Sequence, residues 1–274
     1  MRLLVATGGS AHSDLALQMS VQLAYLSRKT STILTVIRGP EDRQRAEEVQ
    51  RRARAQFEAE GIEVNTLIRV GPPELSILHE VIDGGYDLLV LGDRQMHRLS
   101  TRLRGSVSER LARQAPCAVL IVKGTVRPIR RVLLCDSGVV EPPLRQRFLA
   151  EGLGRLLEHE VDVTVLHVMS QISAGPGING AQLRADAEEL IRSHSPEGEW
   201  LKEDVRSLEH IAGRTRPKVR HGFVVDEILA EAREGDYDLV VIGAHREHGW
   251  QRFLLDDIAH EIITQIDRHL LVIP

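Results

Sequence analysis

The residues best suited to binding chemistry in this sequence are two glycines and a serine at the ends of a loop. Gly92 closes a short apolar run, and Gly105 and Ser106 stand 13 and 14 residues further on, where a helical pattern begins. Glycine lets the backbone approach a phosphate closely, and a helix N-terminus presents free N–H groups and a partial positive charge. The spacing favours a phosphate-binding loop, although the same residues would also serve to turn the chain and cap the helix.

The segment that ends in Gly92 occurs twice in the chain. GGYDLLVLG at residues 84–92 matches GDYDLVVIG at residues 235–243, with six of nine positions identical at an offset of 151. Glu80 recurs upstream as Glu231 at the same offset, and the apolar runs at the start and end of each copy also correspond. Matches in the same order at the start, middle and end indicate a tandem duplication.

The duplication predicts two domains, at residues 1–124 and 129–274. The second copy is longer in its middle, and the Gly- and Pro-containing stretch at residues 170–198 is the expected insertion, with an added helix over 181–192. The last apolar runs, residues 118–122 and 270–273, are expected to pair. Their pairing would join the copies as a pseudo-dimer and hide strand edges that favour aggregation.

Each copy alternates short apolar runs with helical patterns. In the first copy the predicted strands cover residues 3–6, 32–37, 63–70, 88–91 and 118–122, and the predicted helices cover 14–27, 41–60, 72–83 and 106–114. Continuous apolar strands separated by helices are typical of a parallel sheet covered on both faces. The fold class is therefore α/β, with two tandem, doubly wound, Rossmann-like domains, each built on a five-stranded parallel sheet.

Composition excludes several classes of function. The chain of 274 residues is 42% hydrophobic and 27% charged, with a net charge of −4, which gives nucleic-acid binding little electrostatic support. No apolar stretch is long enough for a membrane span or a signal peptide, so we expect a cytoplasmic protein without a membrane partner. Cys117 and Cys135 make neither a disulfide framework nor a zinc site, and we expect both to pack as small hydrophobes at strand starts.

The sequence supports no dedicated catalytic centre. In an open α/β sheet the ligand lies beyond the carboxyl ends of the strands, which points to Thr7-Gly8-Gly9-Ser10 after the first strand and to Gly92 after the fourth. Ser10, His12 and Asp14 are too close in sequence to form a triad, and Ser10 is expected to cap the next helix. No metal site is predicted apart from a magnesium ion bound to a nucleotide.

At this point the motifs resemble a known family. LLVATGGS at residues 3–10, GPP at 71–73, YDLLVLG at 86–92, GSVSER at 105–110 and APCAVLIV at 115–122 are similar to a universal stress protein domain. The second copy is similar over most of its length. The resemblance implies dimer-like pairing of domains and, in one branch of the family, binding of ATP or AMP through a Gly-x-x-Gly, nine-residue, Gly-Ser loop.

Carried over residue by residue, the resemblance implies a nucleotide site in the first copy. The expected contacts are Thr7, Gly8, Val36, Gly92, Arg94, Gly105, Ser106 and Val107. Two departures stand in this copy: Gln95 replaces the second glycine, and Gly8 replaces the aspartate that holds the nucleoside. In the second copy we expect Asp136 to keep that acid, while Asp256 and Asp257 replace the Gly-Ser pair at a helix N-terminus, where they would repel phosphate.

Charge separates the two loops further. Residues 93–106 carry four arginines against one aspartate, whereas residues 244–257 carry two arginines against three acidic residues. Arginine suits phosphate as a forked donor, although such a run could also be a solvated loop or pair with the other domain. Our hypothesis is that the first copy is the better nucleotide binder and that the second is degenerate.

The sequence thus predicts a non-enzymatic stress-response protein that binds an adenine nucleotide in its first copy and signals by changing shape or partner. The alternative is a nucleotide-independent interaction or scaffold module of the same fold. A third reading, a slow ATPase, would need a base to activate water, and no residue is a strong candidate. A further homodimer is compatible with each reading.

Overall fold

The chain folds into two compact units. The computed structural model describes residues 1–27, 29–93, 106–137, 142–158, 160–169, 185–244 and 251–274, with the backbone alone for 251–257. The first unit comprises Met1–Pro128 together with His269–Pro274, and the second comprises Ile129–Arg268. The last strand of the second sequence copy therefore lies in the first compact unit. No helix in the described ranges is both long and apolar enough to cross a bilayer.

The first unit is a doubly wound sheet. Its strands are β1 (Leu3–Ala6), β2 (Ser31–Ile37), β3 (Val64–Val70), β4 (Leu88–Gly92) and β5 (Ala118–Val122), and its helices are α1 (Ala11–Ala24), α2 (Arg43–Glu58), α3 (Pro73–Gly84) and α4 (Val107–Gln114). The five strands are parallel in the order β3-β2-β1-β4-β5. This confirms the five-stranded parallel sheet predicted for the first copy.

A sixth strand closes the β5 edge of this unit. It is β10 (His269–Ile273), which runs antiparallel to β5 with Leu270 opposite Ile121. All five residues of each of these two strands are buried. The predicted pairing of the two terminal apolar runs is confirmed, and the pairing leaves no β5 backbone edge open to another chain.

The second unit repeats the parallel arrangement. Its strands are β6 (Arg131–Cys135), β7 (Asp162–Met169), β8 (Arg214–His221) and β9 (Leu239–Gly243), and its helices are α5 (Leu144–Ala150), α6 (Ala187–Arg192), α7 (Pro196–Leu208), α8 (Val224–Glu234) and α9 (Gln251–Gln265). The strands are parallel in the order β9-β6-β7-β8. The helix expected over 181–192 begins at Ala187, where Asp186 caps it, and residues 181–184 lie outside the described part of the chain.

Several predicted boundaries shift for local reasons. Helix α1 begins at Ala11 rather than at residue 14, because Ser10 caps it and its side chain accepts the Ser13 N–H, as expected for Ser10. Residues 41 and 42 belong to a 3₁₀ turn before α2, which a proline at its first position favours. Cys135 lies at the end of β6, not at a strand start, and burial raises the pKa of its thiol.

The repeated tyrosine of the duplicated segment fastens a helix to the sheet in the first unit. Its hydroxyl, on Tyr86, donates to Glu80 Oε1 at 3.1 Å, while Arg69 Nη2 on β3 donates to Glu80 Oε2 at 2.6 Å. Glu80 on α3 is buried. A side chain on Gly84 would place its Cβ 2.1 Å from the Tyr86 ring, so only glycine fits there. One carboxylate thus joins α3, β3 and the entry to β4.

The second unit repeats this network at the same offset. Tyr237 donates to Glu231 Oε1 at 2.8 Å, and Arg220 Nη1 donates to Glu231 Oε2 at 2.9 Å. Lys218 adds a further ion pair with Glu231 at 2.6 Å. Burial alone would raise the pKa of Glu231, but the hydrogen bonds from Lys218, Tyr237 and Arg220 hold it below its usual value.

The aspartate after each tyrosine has an equally local role. Asp87 Oδ2 accepts the Arg2 N–H at 2.5 Å, and Asp238 Oδ2 accepts the Arg130 and Arg131 N–H groups at 2.9 and 3.0 Å. These contacts tie the start of β4 to the start of β1, and the start of β9 to the start of β6. The duplicated Tyr-Asp pair therefore builds the amino edge of each sheet, away from the edge where a ligand is expected.

Removing the tyrosine hydroxyl tests this network. We expect Tyr86→Phe and Tyr237→Phe each to lower the free energy of unfolding by about 1–2 kcal/mol, because a buried carboxylate oxygen loses a donor. Urea unfolding followed by circular dichroism measures the change. Tyr25→Phe is the matched control, because Tyr25 is 60% exposed and its loss should cost less than about 0.5 kcal/mol. Equal losses in all three variants would contradict the role assigned to the network.

Candidate site at the carboxyl edge of the first sheet

The strand order places the candidate site beyond β1 and β4. Strand β1 lies between β2 and β4, with Ala6 opposite both Leu34 and Leu91. The chain leaves β1 for α1 and β4 for α4, so the strand order reverses between these two neighbours. In open α/β sheets this switch point is where ligands bind. The residues directly after these strands, Thr7 and Asp93, therefore follow neighbouring strands at the same edge of the sheet, as the sequence predicts.

The turn after β1 is organised by hydroxyl groups. Thr7 is buried, and its Oγ1 donates to Ser13 Oγ at 3.1 Å and accepts the Gly9 N–H at 3.3 Å. Gly8 is exposed, and a Cβ added there would meet nothing within 4 Å. Of these two predicted contacts, Thr7 holds the turn and Gly8 offers open backbone. Val36, a third, lies half-buried near the end of β2.

Gly92 has a packing reason to be glycine. A Cβ at this position would lie 2.0 Å from the backbone oxygen of His12 and 2.9 Å from the Ser13 nitrogen. The first turn of α1 therefore rests directly on the end of β4, and any side chain would force the two apart. This contact explains the glycine without a ligand, so Gly92 on its own says little about phosphate.

Ser106 caps α4, as one of the two sequence interpretations expected. Its Oγ accepts the Glu109 N–H at 3.1 Å, and Glu109 Oε2 accepts the Ser106 N–H at 3.2 Å, which completes a capping box. Ser106 and Val107 are both exposed at the start of the helix. Two of the predicted contacts thus lie at an accessible helix N-terminus. Arg94 and Gly105 lie outside the described residues.

A buried polar cluster joins the ends of β4 and β5 to α4. Asp93, directly after β4, accepts a hydrogen bond from Ser108 Oγ through Oδ1 at 2.8 Å and pairs through Oδ2 with Lys123 Nζ at 3.2 Å. The Lys123 side chain is 2% exposed and that of Asp93 is 12% exposed. The Lys123 N–H also donates to His269 Nδ1 at 3.1 Å. We call Asp93, Ser108 and Lys123 the Asp93 cluster.

Sequence reasoning missed the Asp93 cluster. A signal was present, because Asp93 and Lys123 each follow an apolar strand directly, and neighbouring parallel strands end at the same edge of a sheet. The ladder confirms that neighbourhood by placing Gly92 opposite Val122. The two charged residues are a local signal, and the strand order completes it by showing that they follow neighbouring strands.

The second unit differs from the first in the residue that directly follows its first strand, which is Asp136. Ala6 ends β1 and pairs with Leu91, and Cys135 ends β6 and pairs with Ile242, which lies 151 residues after Leu91. The strand register therefore aligns Ala6 with Cys135. The next residues, Thr7 and Asp136, both donate N–H to the neighbouring strand. Asp136 therefore matches Thr7 and not Gly8, which corrects the sequence alignment. Its buried carboxylate accepts a backbone N–H at the start of α5.

A guanidinium lies against the end of β9 in the second unit. Arg147 on α5 donates from Nη1 to the Ala244 carbonyl at 3.2 Å, and a Cβ on Gly243 would lie 2.5 Å from its Nη2. Burial lowers the pKa of Arg147, an effect that the charge of Asp136 opposes. In the first unit the backbone of α1 packs on the matching Gly92. In the second unit an arginine side chain does so.

Helix α9 also begins earlier than the sequence comparison assumed. It starts at Gln251, so Asp256 and Asp257 lie more than one turn inside it and not at its N-terminus. The helix dipole acts mainly within the first turn, so the predicted repulsion of phosphate at a helix end by these two residues is wrong for this backbone. Their side chains lie outside the described part of the chain.

The second unit holds its own buried ion pair, between α5 and α7. Arg145 Nη1 donates to Asp204 Oδ1 at 3.0 Å, with both side chains nearly fully buried, and Arg145 Nη2 donates to the exposed Glu203 at 2.6 Å. Burial raises the pKa of Asp204 to about 7; the charges of Asp136 and Glu203 add to this, and Arg145 opposes it. On nearby β7, burial also lowers the pKa of His167, whose ring meets Trp200 edge-on.

Two copies of a doubly wound α/β arrangement in one chain define a tandem Rossmann-like protein. A sequence model of the universal stress protein family matches residues 1–123 and again residues 129–274. The chain therefore belongs to the universal stress protein family, in its tandem two-domain form.

Individual relatives agree with this assignment. Universal stress protein YxiE of Bacillus subtilis (strain 168) is 28% identical over 145 residues, which are 44% of this chain and 98% of that protein. A solved universal stress protein from Archaeoglobus fulgidus DSM 4304 shares the fold with a TM-score of 0.72 and 19% identity, over 99% of this chain and 95% of that one. A protein from Pseudomonas aeruginosa PAO1 gives a TM-score of 0.67 and 18% identity, over 99% and 92% of the two chains.

The buried aspartate of the second unit makes a pH prediction. Because the folded pKa of Asp204 lies above the unfolded value, its stabilising contribution is complete below about pH 4 and is lost as the pH rises towards 7. Asp204→Asn should remove up to about 1.4 kcal/mol per pH unit of this slope. Urea unfolding at pH values from 4 to 8 measures it. Asp162→Asn, at an exposed site on β7, is the control and should keep the wild-type slope; an unchanged slope in Asp204→Asn would contradict the assignment.

Proposed function

We propose that this universal stress protein binds an adenine nucleotide, ATP or AMP, at the carboxyl edge of the first sheet. The observation that carries the proposal is a shared edge of the sheet: the exposed Gly8 follows β1, and the first turn of α4 contacts Asp93 directly after β4, the neighbouring strand at the switch point. In the sequence, residues 94–104 between β4 and α4 include four arginines, a residue type suited to binding phosphate. Thr7, Val36, Gly92, Arg94, Gly105 and Val107 complete the proposed contacts, with Ser106 at the helix cap.

The contrast with the second unit supports confining the nucleotide to the first. There Arg147 lies against Gly243, Asp136 is engaged at the start of α5, and α9 begins at Gln251. With these three features, the described part of the second unit lacks the first unit's combination of an open glycine and an exposed helix N-terminus beyond neighbouring strands. We assign the two domains to residues 1–124 and 129–274 and regard the second as the degenerate partner.

In this proposal the protein does not catalyse a reaction. It acts in the cytoplasm by changing shape or partner when the nucleotide binds, alone or as a homodimer. A bound magnesium ion would accompany the nucleotide phosphates. Within the described residues no group of three or more His, Cys, Asp and Glu side chains is arranged to hold a metal.

The second candidate is an interaction module that binds no nucleotide. Two observations favour it: Ser106 is already engaged as a helix cap, and Thr7, at the position that Asp136 holds in the second unit, supplies no acid for the nucleoside. Mass spectrometry of ligand retained by the native protein separates the candidates. Retained ATP or AMP supports the nucleotide site. Absence of ligand, together with no binding of added ATP, supports the interaction module, and release of ADP from added ATP would indicate a slow ATPase.

A single carboxylate in the loop tests the location of the site. Gly105→Asp places a negative charge next to the cap of α4, and we expect ATP affinity to fall at least tenfold because the carboxylate repels phosphate. Isothermal titration calorimetry measures the affinity. Asn65→Asp adds the same charge at an exposed position near the start of β3 and should leave it unchanged. Unchanged affinity in Gly105→Asp would remove the first-copy site from consideration.

A further inference from the structure

The Asp93 cluster is present in one copy and absent from the other. At the offset of 151, Asp93, Ser108 and Lys123 correspond to Ala244, Ala259 and Pro274. All three polar members are therefore replaced together by residues that carry no side-chain polar group. The second copy completes the matching strand β9 and helix α9 without them, so the fold does not require the cluster.

The physical cost of the cluster makes its presence informative. Moving an ammonium and a carboxylate out of water is unfavourable, and well-packed apolar residues often stabilise a protein equally well or better. The second copy avoids the cost of burying these charges, because alanine and proline stand at the corresponding positions. The Asp93 cluster is present only in the copy that carries the proposed nucleotide site, which points to a role in that site rather than in folding.

The geometry indicates what that role is. Asp93 is the first residue after β4, and its carboxylate contacts both Ser108 in the first turn of α4 and the Lys123 ammonium at the end of β5. Ser108 in turn lies 2.8 Å from the Ser106 cap, measured between the two Oγ atoms. The carboxylate thus lies between a buried cation and the helix end where a phosphate would bind. It neutralises that cation before any ligand arrives.

We propose that Asp93 limits the preference of the site for highly charged ligands, because its carboxylate neutralises, and so masks, Lys123. This inference rests on the proposed nucleotide site and deepens it. Lys123 paired with the Asp93 carboxylate attracts a chain of several phosphates less than the same lysine without that carboxylate. Removal of the carboxylate alone should therefore increase affinity, and the increase should grow with the charge of the ligand. Wild-type protein then discriminates less in favour of ATP over AMP than the unmasked variant does.

The experiment is a charge cycle at positions 93 and 123, with ATP and AMP titrated calorimetrically in EDTA so that no metal neutralises the phosphates. Asp93→Asn should bind ATP at least tenfold more tightly and AMP about threefold more tightly than wild type. Lys123→Met should weaken ATP binding at least tenfold. Asp83→Asn removes one exposed charge at the end of α3 and is the control, with unchanged affinity.

The double variant Asp93→Asn with Lys123→Met keeps the test decisive if a single variant fails to fold. Both of its residues are neutral, as in the second copy, so it should fold and bind ATP within about threefold of wild type. A change beyond tenfold in the double variant would overturn the masking role. An equal gain for ATP and AMP, or no gain, in folded Asp93→Asn would do the same.

Failure of the parent proposal gives a different result. If the wild type binds ATP or AMP and Asp93→Asn binds no more tightly, the nucleotide site stands and the masking role falls. If neither wild type nor Asp93→Asn binds either nucleotide, the nucleotide site itself falls and the masking role falls with it.

Discussion

A buried glutamate holds each copy of the fold together. Glu80 and Glu231 each accept hydrogen bonds from a tyrosine hydroxyl and an arginine, and so join a helix, an edge-side strand and the entry to the central strand. Because a buried carboxylate is costly unless every lone pair is used, these partners cannot shift independently. The start of β4 is thereby fixed beside β1, and the start of β9 beside β6. The same register then determines which residues lie side by side at the carboxyl edge.

The two copies share the contacts at the amino edge of the sheet and differ at the carboxyl edge. At the amino edge Tyr-Asp and its partners are repeated with the same contacts. At the carboxyl edge the first unit has an ion pair between the ends of two strands, whereas the second has one between two helices, Arg145 with Asp204. Both copies keep the contacts that set strand register. The loop sequences whose positions depend on that register differ between the copies.

Electrostatics gives the two carboxyl edges different properties. In the first unit a lysine and an aspartate neutralise each other beneath an exposed helix end, which ties the charge of the site to a single carboxylate. In the second unit one buried guanidinium faces more than one acid, and burial raises the pKa of Asp204 to about 7. The first edge is where we propose that a ligand is selected by its charge. The second edge carries the aspartate whose raised pKa makes us expect stability to fall between about pH 4 and 7.

The sequence alone determined the duplication, the order of strands and helices, the parallel sheet of the first copy and the pairing of the last strands, because apolar periodicity and repeats are local signals. It also identified Ser10 as a cap and offered a cap as one of two interpretations of Ser106. Only the tertiary structure showed that Asp93 meets Lys123, that Asp136 matches Thr7, and that α9 begins before Asp256. These facts depend on strand register and on where a helix starts, and neither is encoded by residue type at a single position. The structure therefore decided which side chains share the carboxyl edge of each sheet.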